Sequence, residues 1–427
     1  MKHLYSLVGA CLGASLLAAC GGNSFTNSTP AAAPSPLLTS LLTAPREGSP
    51  HESSWRLKRK KVVYKAIYSF GSVPDAQGPV AGLIDVGGVL YGTTSSGGAN
   101  NCSGVGCGAV FAITTSGKES VLYSFAGGSD GAKPLAALTN VGDKLYGTTQ
   151  MGGQLGYGTV FKVTTSGKEK VLHSFGGGSD GVYPVADLIN VRGTLYGTTR
   201  FGGSGNAGTV FKITTSGKEK VLYTFGSRTG DGEDPYAGLI DVGGTLYGTT
   251  EIGGANNCSG VGCGTVFAIT TSGKERVLYS FAGGSDGDFP LAGLINVGGM
   301  LYGTTWYGGG ASRRCYYDGC GTIFKTTTSG METVLYRFKG GSDGENPYDG
   351  LINAGSKLYG TTIGGGRKDY GTVFKITISG AYSQLQSLAD GDGARPQAGL
   401  INVNGTLYGT TQFGGSNSEG AVFSLTP

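Results

Sequence analysis

From about residue 62 onward, apolar runs of four to seven residues alternate with glycine-rich breaks. One stretch shows the pattern. Pro184 precedes an apolar run from Ala186 to Val191, and Arg192-Gly193 turns the chain into Thr194-Leu195-Tyr196-Gly197-Thr198-Thr199. A loop around Gly202, Gly203 and Gly205 leads to Gly208-Thr209-Val210-Phe211-Lys212-Ile213-Thr214. Ser216-Gly217 then turns it into Lys220-Val221-Leu222-Tyr223-Thr224-Phe225. Runs this short, rich in β-branched and aromatic residues and bounded by glycine, predict strands. The unit is a four-strand meander, a to d.

The unit recurs. Leu-Tyr-Gly-Thr-Thr begins at residues 90, 145, 195, 246, 301, 358 and 407. Seven copies at a period near 50 predict an array of supersecondary units. The ends are out of phase by one strand. A lone d-type run, Val63 to Phe70, precedes the first strand a, and the chain closes on a c-type run, Ala421 to Leu425, with no d after it. A linear array gains nothing from this offset, whereas a ring uses it to lock the first strand into the last unit and leave no long free edge. The expectation is an all-β fold: a seven-bladed β-propeller of four-stranded blades, closed by the N-terminal strand pairing in the last blade.

Composition sharpens this picture at one point. Glycine is 83 of 427 residues, without the three-residue period of collagen and interleaved with regular apolar runs, which excludes both collagen and simple disorder. The formal charge of +4 sits outside the repeats. Seven of the 32 basic residues and two of the 28 acidic ones precede residue 62, leaving 25 against 26. A nucleic-acid partner needs a basic face, and this balance offers none.

The segment Gly-Leu-Ile-Asn/Asp-Val, a glycine turn, Leu-Tyr-Gly-Thr-Thr and then Gly-Thr-Val-Phe-Lys-Ile-Thr resembles a kelch repeat. More specifically it is similar to the GloVer (Gloeobacter/Verrucomicrobia-type) tandem repeats, over residues 63–427. The resemblance implies a surface-anchored propeller without an assigned activity. The tryptophan that kelch repeats carry near the last strand is replaced by Tyr and Phe, so kelch partners do not transfer.

Before the repeats, Lys2, an apolar stretch from Leu4 to Leu17 and then Leu17-Ala18-Ala19-Cys20 make a secretory signal. Leu-Ala-Ala-Cys resembles the lipobox of bacterial lipoproteins, which implies lipidation at Cys20. Gly21 follows, and by resemblance to the sorting rule the absence of Asp there implies the outer membrane or cell surface. The expected organisation is a signal peptide over 1–19, a lipidated cysteine and Ser/Thr/Ala/Pro-rich tether over 20–61, and the propeller over 62–427. A membrane contact through the lipid and a monomeric state complete this expectation.

Turn lengths point to a working face. The a–b and c–d turns are short, while the d–a and b–c connections are long and emerge together. Three b–c loops carry Cys-x4-Cys: Cys102 with Cys107, Cys258 with Cys263, and Cys315 with Cys320. An exported chain with paired cysteines predicts local disulfides rather than zinc, which favours Cys-x2-Cys or added His. Every d–a loop has an Asp four residues before a Pro (Asp75, Asp130, Asp180, Asp231, Asp286, Asp343 and Asp392). A carboxylate capping backbone N–H groups is the simpler reading. One carboxylate per loop is thin for Ca²⁺, the one ion it suggests; no other cofactor or metal is expected.

The residue after Leu-Tyr-Gly-Thr-Thr varies: Ser95, Gln150, Arg200, Glu251, Trp306, Ile363 and Gln412. The fifth copy gathers Trp306, Tyr307, Tyr316 and Tyr317 near its cysteine loop. Amphipathic aromatics suit sugar rings and protein partners alike. The candidate ligand site is therefore Trp306, Tyr307, Tyr316 and Tyr317, with Arg200 and Glu251 as polar contacts. No nucleophile–base set stands out, and His173, a replacement of Tyr in a d run, reads as a packed residue. The function expected is binding or scaffolding of an extracellular glycan or protein. The alternative is a hydrolase or lyase acting on an extracellular polymer, with Glu251 and Asp286 as acid and base.

Overall fold

The repeats form seven four-stranded antiparallel sheets. The computed structural model describes residues 61–427 apart from 100–101, 256–257, 259, 311–313 and 316–318. The signal segment, Cys20 and the tether up to residue 60 lie outside the described residues, as do Tyr316 and Tyr317. Blades are numbered here by their Leu-Tyr-Gly-Thr-Thr copies. In the third, strands a to d are Ile189–Val191, Thr194–Thr199, Thr209–Thr214 and Glu219–Thr224. Strand a is shorter than its apolar run. Ahead of it, the carbonyl of Ala186 accepts the hydroxyl of Thr148 from the preceding blade.

Each strand a touches its two neighbours around the ring, and Ile84–Val86 of the first blade touches Ile401–Val403 of the seventh. Closure follows the offset in the sequence. Val63–Ser69 pairs antiparallel with Ala421–Thr426, Tyr64 opposite Leu425 and Ser69 opposite Ala421. Thr410 of the seventh blade donates to the carbonyl of Ala81 in the first, at 3.1 Å.

The repeated pentapeptide has a physical role at each position. Its Leu and Tyr are buried between blades. Its Gly makes room for the strand-c phenylalanine: a Cβ at Gly248 would sit 2.7 Å from Phe267 Cζ and 2.9 Å from Leu239 Cδ2. The first Thr reaches across to the next blade, as Thr93 does to the carbonyl of Ala136 at 2.9 Å. The second, as at Thr199, binds Thr209 at 2.8 Å and donates to the carbonyl of Phe201. Phenylalanines after strand d, with Leu388 in the sixth blade, fill the seams: Phe225 meets Phe267 edge-on at 5.0 Å. A buried ring of this kind contributes about 2–3 kcal/mol through removal from water. Among the described residues no helix is long and apolar enough to cross a membrane.

Candidate functional site

The scaffold presents two variable positions per blade, joined by a backbone bond. The N–H of the residue after Leu-Tyr-Gly-Thr-Thr donates to the carbonyl of the residue before the d–a proline: Arg200 to Tyr183, Glu251 to Asp234, Trp306 to Phe289, Gln412 to Arg395. In six blades that pre-proline residue is not glycine yet has positive φ: Lys133 54°, Tyr183 57°, Asp234 61°, Phe289 54°, Asn346 57° and Arg395 53°. Left-handed non-glycine residues cost roughly 1–3 kcal/mol each and collect at functional sites. These positions were missed in the sequence, although a readable signal existed: the residue before each proline varies as freely as the one after Leu-Tyr-Gly-Thr-Thr.

Two of the predicted polar contacts come together. Arg200 Nε donates to Asp234 Oδ1 at 2.7 Å, and its Nη2 donates to Asp234 Oδ2 at 3.1 Å and to Glu251 Oε2 at 2.8 Å. Its guanidinium also lies over Phe201 and Tyr236, at 5.1 and 5.2 Å. Burial, offset by Arg200 and reinforced by Asp234, pushes the Glu251 carboxyl up to about 7.

The third member of the ligand group joins through tyrosines. Tyr236 of the fourth blade and Tyr348 of the sixth bond hydroxyl to hydroxyl at 2.5 Å. These blades are not adjacent, so the pair reaches past the fifth blade on the inner side of the ring. Trp306 stands edge-on to Tyr348 at 6.1 Å and stacks on Tyr307 at 4.6 Å. Its indole N–H is enclosed without a hydrogen-bond partner. Arg200, Glu251 and Trp306 are thereby linked through Tyr236 and Tyr348 on one rim. Glu251 and Asp286 share no partner: Asp286 binds the Tyr279 hydroxyl and the Ala282 N–H at the outer side of its blade.

Just before strand a, the third and sixth blades each hold a carboxylate bonded to backbone of another repeat or its own. Asp187 accepts from the N–H of Ala137, and Asp349 from those of Gly350 and Gly399. Surrounding protein, with Asp349 second, pushes the Asp187 carboxyl up to about 6.

Six of the seven loop aspartates behave as caps, Asp392 being the exception among the described residues. Asp130 Oδ2 accepts the N–H of Ala126 at 2.7 Å, and Asp75, Asp180, Asp231, Asp286 and Asp343 each accept one four residues back. Each also binds the strand-d aromatic of its own blade: Tyr68, Tyr123, Tyr223, Tyr279 or Tyr336 by hydroxyl, and His173 by Nε2 to Asp180 at 3.1 Å. His173 thus takes over a tyrosine's structural bond. Three disulfides, Cys102–Cys107, Cys258–Cys263 and Cys315–Cys320, close the long b–c loops.

Comparisons with known proteins bear on the scaffold. No curated protein sequence matches. Among solved structures, quinohemoprotein alcohol dehydrogenase from Comamonas testosteroni superposes with a TM-score of 0.52 at 13% identity, over 85% of this chain and 76% of that one. A putative 6-phosphogluconolactonase from Bacteroides uniformis gives 0.47 at 15% identity, over 71% and 83%. Its counterpart from Bacteroides fragilis gives 0.44 at 20%, over 75% and 86%. At such identities the likeness speaks to fold alone. The family described as the Gloeobacter/Verrucomicrobia repeat matches residues 43–261, 103–317 and 260–427. With seven copies of the repeat closed into one ring, the chain belongs to the Gloeobacter/Verrucomicrobia repeat family.

Proposed function

We propose that this protein is a lipid-anchored propeller that binds an extracellular glycan at the mouth of its central channel. The observation that carries the reading is the rim formed by Arg200, Glu251, Tyr236, Tyr348 and Trp306, drawn from four different blades. Aromatic faces pack on sugar rings, a guanidinium and carboxylates bond their hydroxyls, and an unpartnered indole N–H gains a bond when an acceptor arrives. Variable side chains on a rigid, strained frame are the arrangement expected of a recognition surface. A protein partner at the same rim is the neighbouring outcome.

The test is titration of the full chain, solubilised in detergent, with soluble glycans and cell-wall polymers. Loss of an aromatic anchor costs about 2 kcal/mol or more, roughly thirty-fold in affinity. Trp306→Ala is expected to show that loss while Lys168→Ala, on a short c–d turn, binds as the parent does. Equal binding by both would remove the rim from consideration. Anchoring is tested by metabolic labelling with a fatty-acid probe, which should mark the parent and miss Cys20→Ala.

One observation favours a second reading, a hydrolase or lyase acting on an extracellular polymer. Asp187 and Asp349 lie within electrostatic reach of each other, and Asp187, held at about 6 by burial with Asp349 adding to the rise, suits a proton donor. Product release from a bound polymer, abolished in Asp187→Asn, would select this reading.

A further inference from the structure

Five blade junctions share one arrangement on their outer side. A strand-d aromatic and the d–a aspartate of one blade meet the glutamate that opens strand d of the next: Tyr68 and Asp75 with Glu119 show it, the Tyr68 hydroxyl lying 2.9 Å from Asp75 Oδ2 and 3.4 Å from Glu119 Oε2. At Glu119, Glu169, Glu219, Glu275 and Glu332, Oε1 is enclosed without a hydrogen-bond partner. At four junctions the aromatic is a tyrosine. Burial raises the pKa of each of these phenols, and the carboxylate beside it adds to the rise, so the group stays an O–H donor and offers no ligand at neutral pH. Between the second and third blades it is His173, whose Nε2 gives a lone pair when the ring proton sits on Nδ1.

We propose that His173, Asp180 and Glu219 form a binding site for a divalent transition ion of the Zn²⁺ class. One ligand atom from each lies within 4.8 Å of the others. His173 Nε2 is 3.1 and 3.2 Å from the two Asp180 oxygens. Two ligand atoms about 2.1 Å from a tetrahedral ion stand roughly 3.4 Å apart, so this edge is nearly preformed. Glu219 supplies the third corner through one of its carboxylate oxygens, and its enclosed Oε1 lacks a hydrogen-bond partner. The N–H of Gly176 fixes Asp180, and Phe175, edge-on at 4.9 Å, fixes the imidazole plane. His173 and Asp180 keep 21% and 25% of their side-chain surface exposed, which leaves a path for the ion and room for water as a fourth ligand. Imidazole with two carboxylates suits Zn²⁺ and its neighbours, whereas three protein ligands fall short of the six to eight oxygens that Ca²⁺ takes. Among the described residues two other Cys/carboxylate groupings, at Cys258–Cys263 and Cys315–Cys320, have their sulfurs in disulfides and present no thiolate. The site is independent of the channel rim.

The experiment is calorimetric titration of the full chain, in detergent and without a polyhistidine tag, with ZnCl₂ and separately with CaCl₂. The expected result is one Zn²⁺ per chain in the micromolar range or tighter, and a visible absorption band when Co²⁺ replaces Zn²⁺. His173→Tyr restores the residue used at the other four junctions and so keeps the fold; it should weaken Zn²⁺ at least thirty-fold and abolish the Co²⁺ band. Glu219→Gln should weaken binding at least ten-fold. Equal Zn²⁺ binding by His173→Tyr, no stoichiometric uptake by the parent, or uptake of Ca²⁺ in preference to Zn²⁺ would each overturn the proposal.

Discussion

Raising the pH from about 5 to about 8 should destabilise the propeller, and the five junction glutamates are the reason. Glu119, Glu169, Glu219, Glu275 and Glu332 are all pushed up to about 7, first by burial. For Glu119 and Glu169 the aspartate of the preceding blade adds to the rise. At Glu119, Glu169 and Glu332 the partnerless Oε1 fits a carboxyl that keeps its proton in the folded state, whereas at Glu275 the Arg228 guanidinium opposes the rise. A pKa raised by folding gives stability that is full below the unfolded value and lost as pH climbs through the folded one. The window therefore runs from the ordinary glutamate value up through about 7. A rise from 4.5 to about 7 corresponds to roughly 3.4 kcal/mol at 1.36 kcal/mol per pH unit. Four of these side chains are only part-buried, Glu275 alone being buried beside Arg228, so screening cuts the figure to about 1 kcal/mol per junction. Urea unfolding followed by tyrosine and tryptophan fluorescence across this range measures it. The parent midpoint should fall steadily toward alkaline pH, and Glu119→Gln with Glu169→Gln should flatten the slope by about 2 kcal/mol. A midpoint that holds or rises toward pH 8, or a double variant with the parent slope, would show that these carboxyls are ionised throughout.

Three other perturbations bear on the fold and the rim. Deleting residues 62–70 removes the closing strand and the fully buried Phe70; that ring alone is worth about 3–5 kcal/mol, so calorimetry should show the cooperative transition lost or sharply lowered. Arg200→Ala leaves Asp234 and Glu251 facing each other and should cost about 2 kcal/mol at neutral pH, reduced for partial exposure. Because Glu251 stands at about 7, that cost should shrink in thermal melts toward pH 5 as the carboxyl takes up its proton. Gly248→Ala drives a methyl into Phe267 and Leu239 and should cost about 1–3 kcal/mol, part of it recovered in denaturant titrations by adding Phe267→Leu.

By itself the sequence determined the architecture. Strand length, glycine punctuation and the offset between Val63–Ser69 and Ala421–Thr426 are local or counting properties, and the ring follows because only closure satisfies both edges. The paired cysteines of each Cys-x4-Cys likewise pointed to the local disulfides that the structure holds. What the tertiary structure decided are contacts between residues on different blades. Tyr236 and Tyr348 are 112 positions apart and meet only because the ring curves strand a of the fourth and sixth blades toward one axis. Asp187 and Asp349 become neighbours for the same reason. His173 read as a tyrosine replacement; its place beside Asp180 and Glu219 depends on how strand d of one blade leans on strand d of the next. Periodicity fixes which face a side chain takes within its own strand, and it carries no information on the curvature that brings distant blades to a common centre.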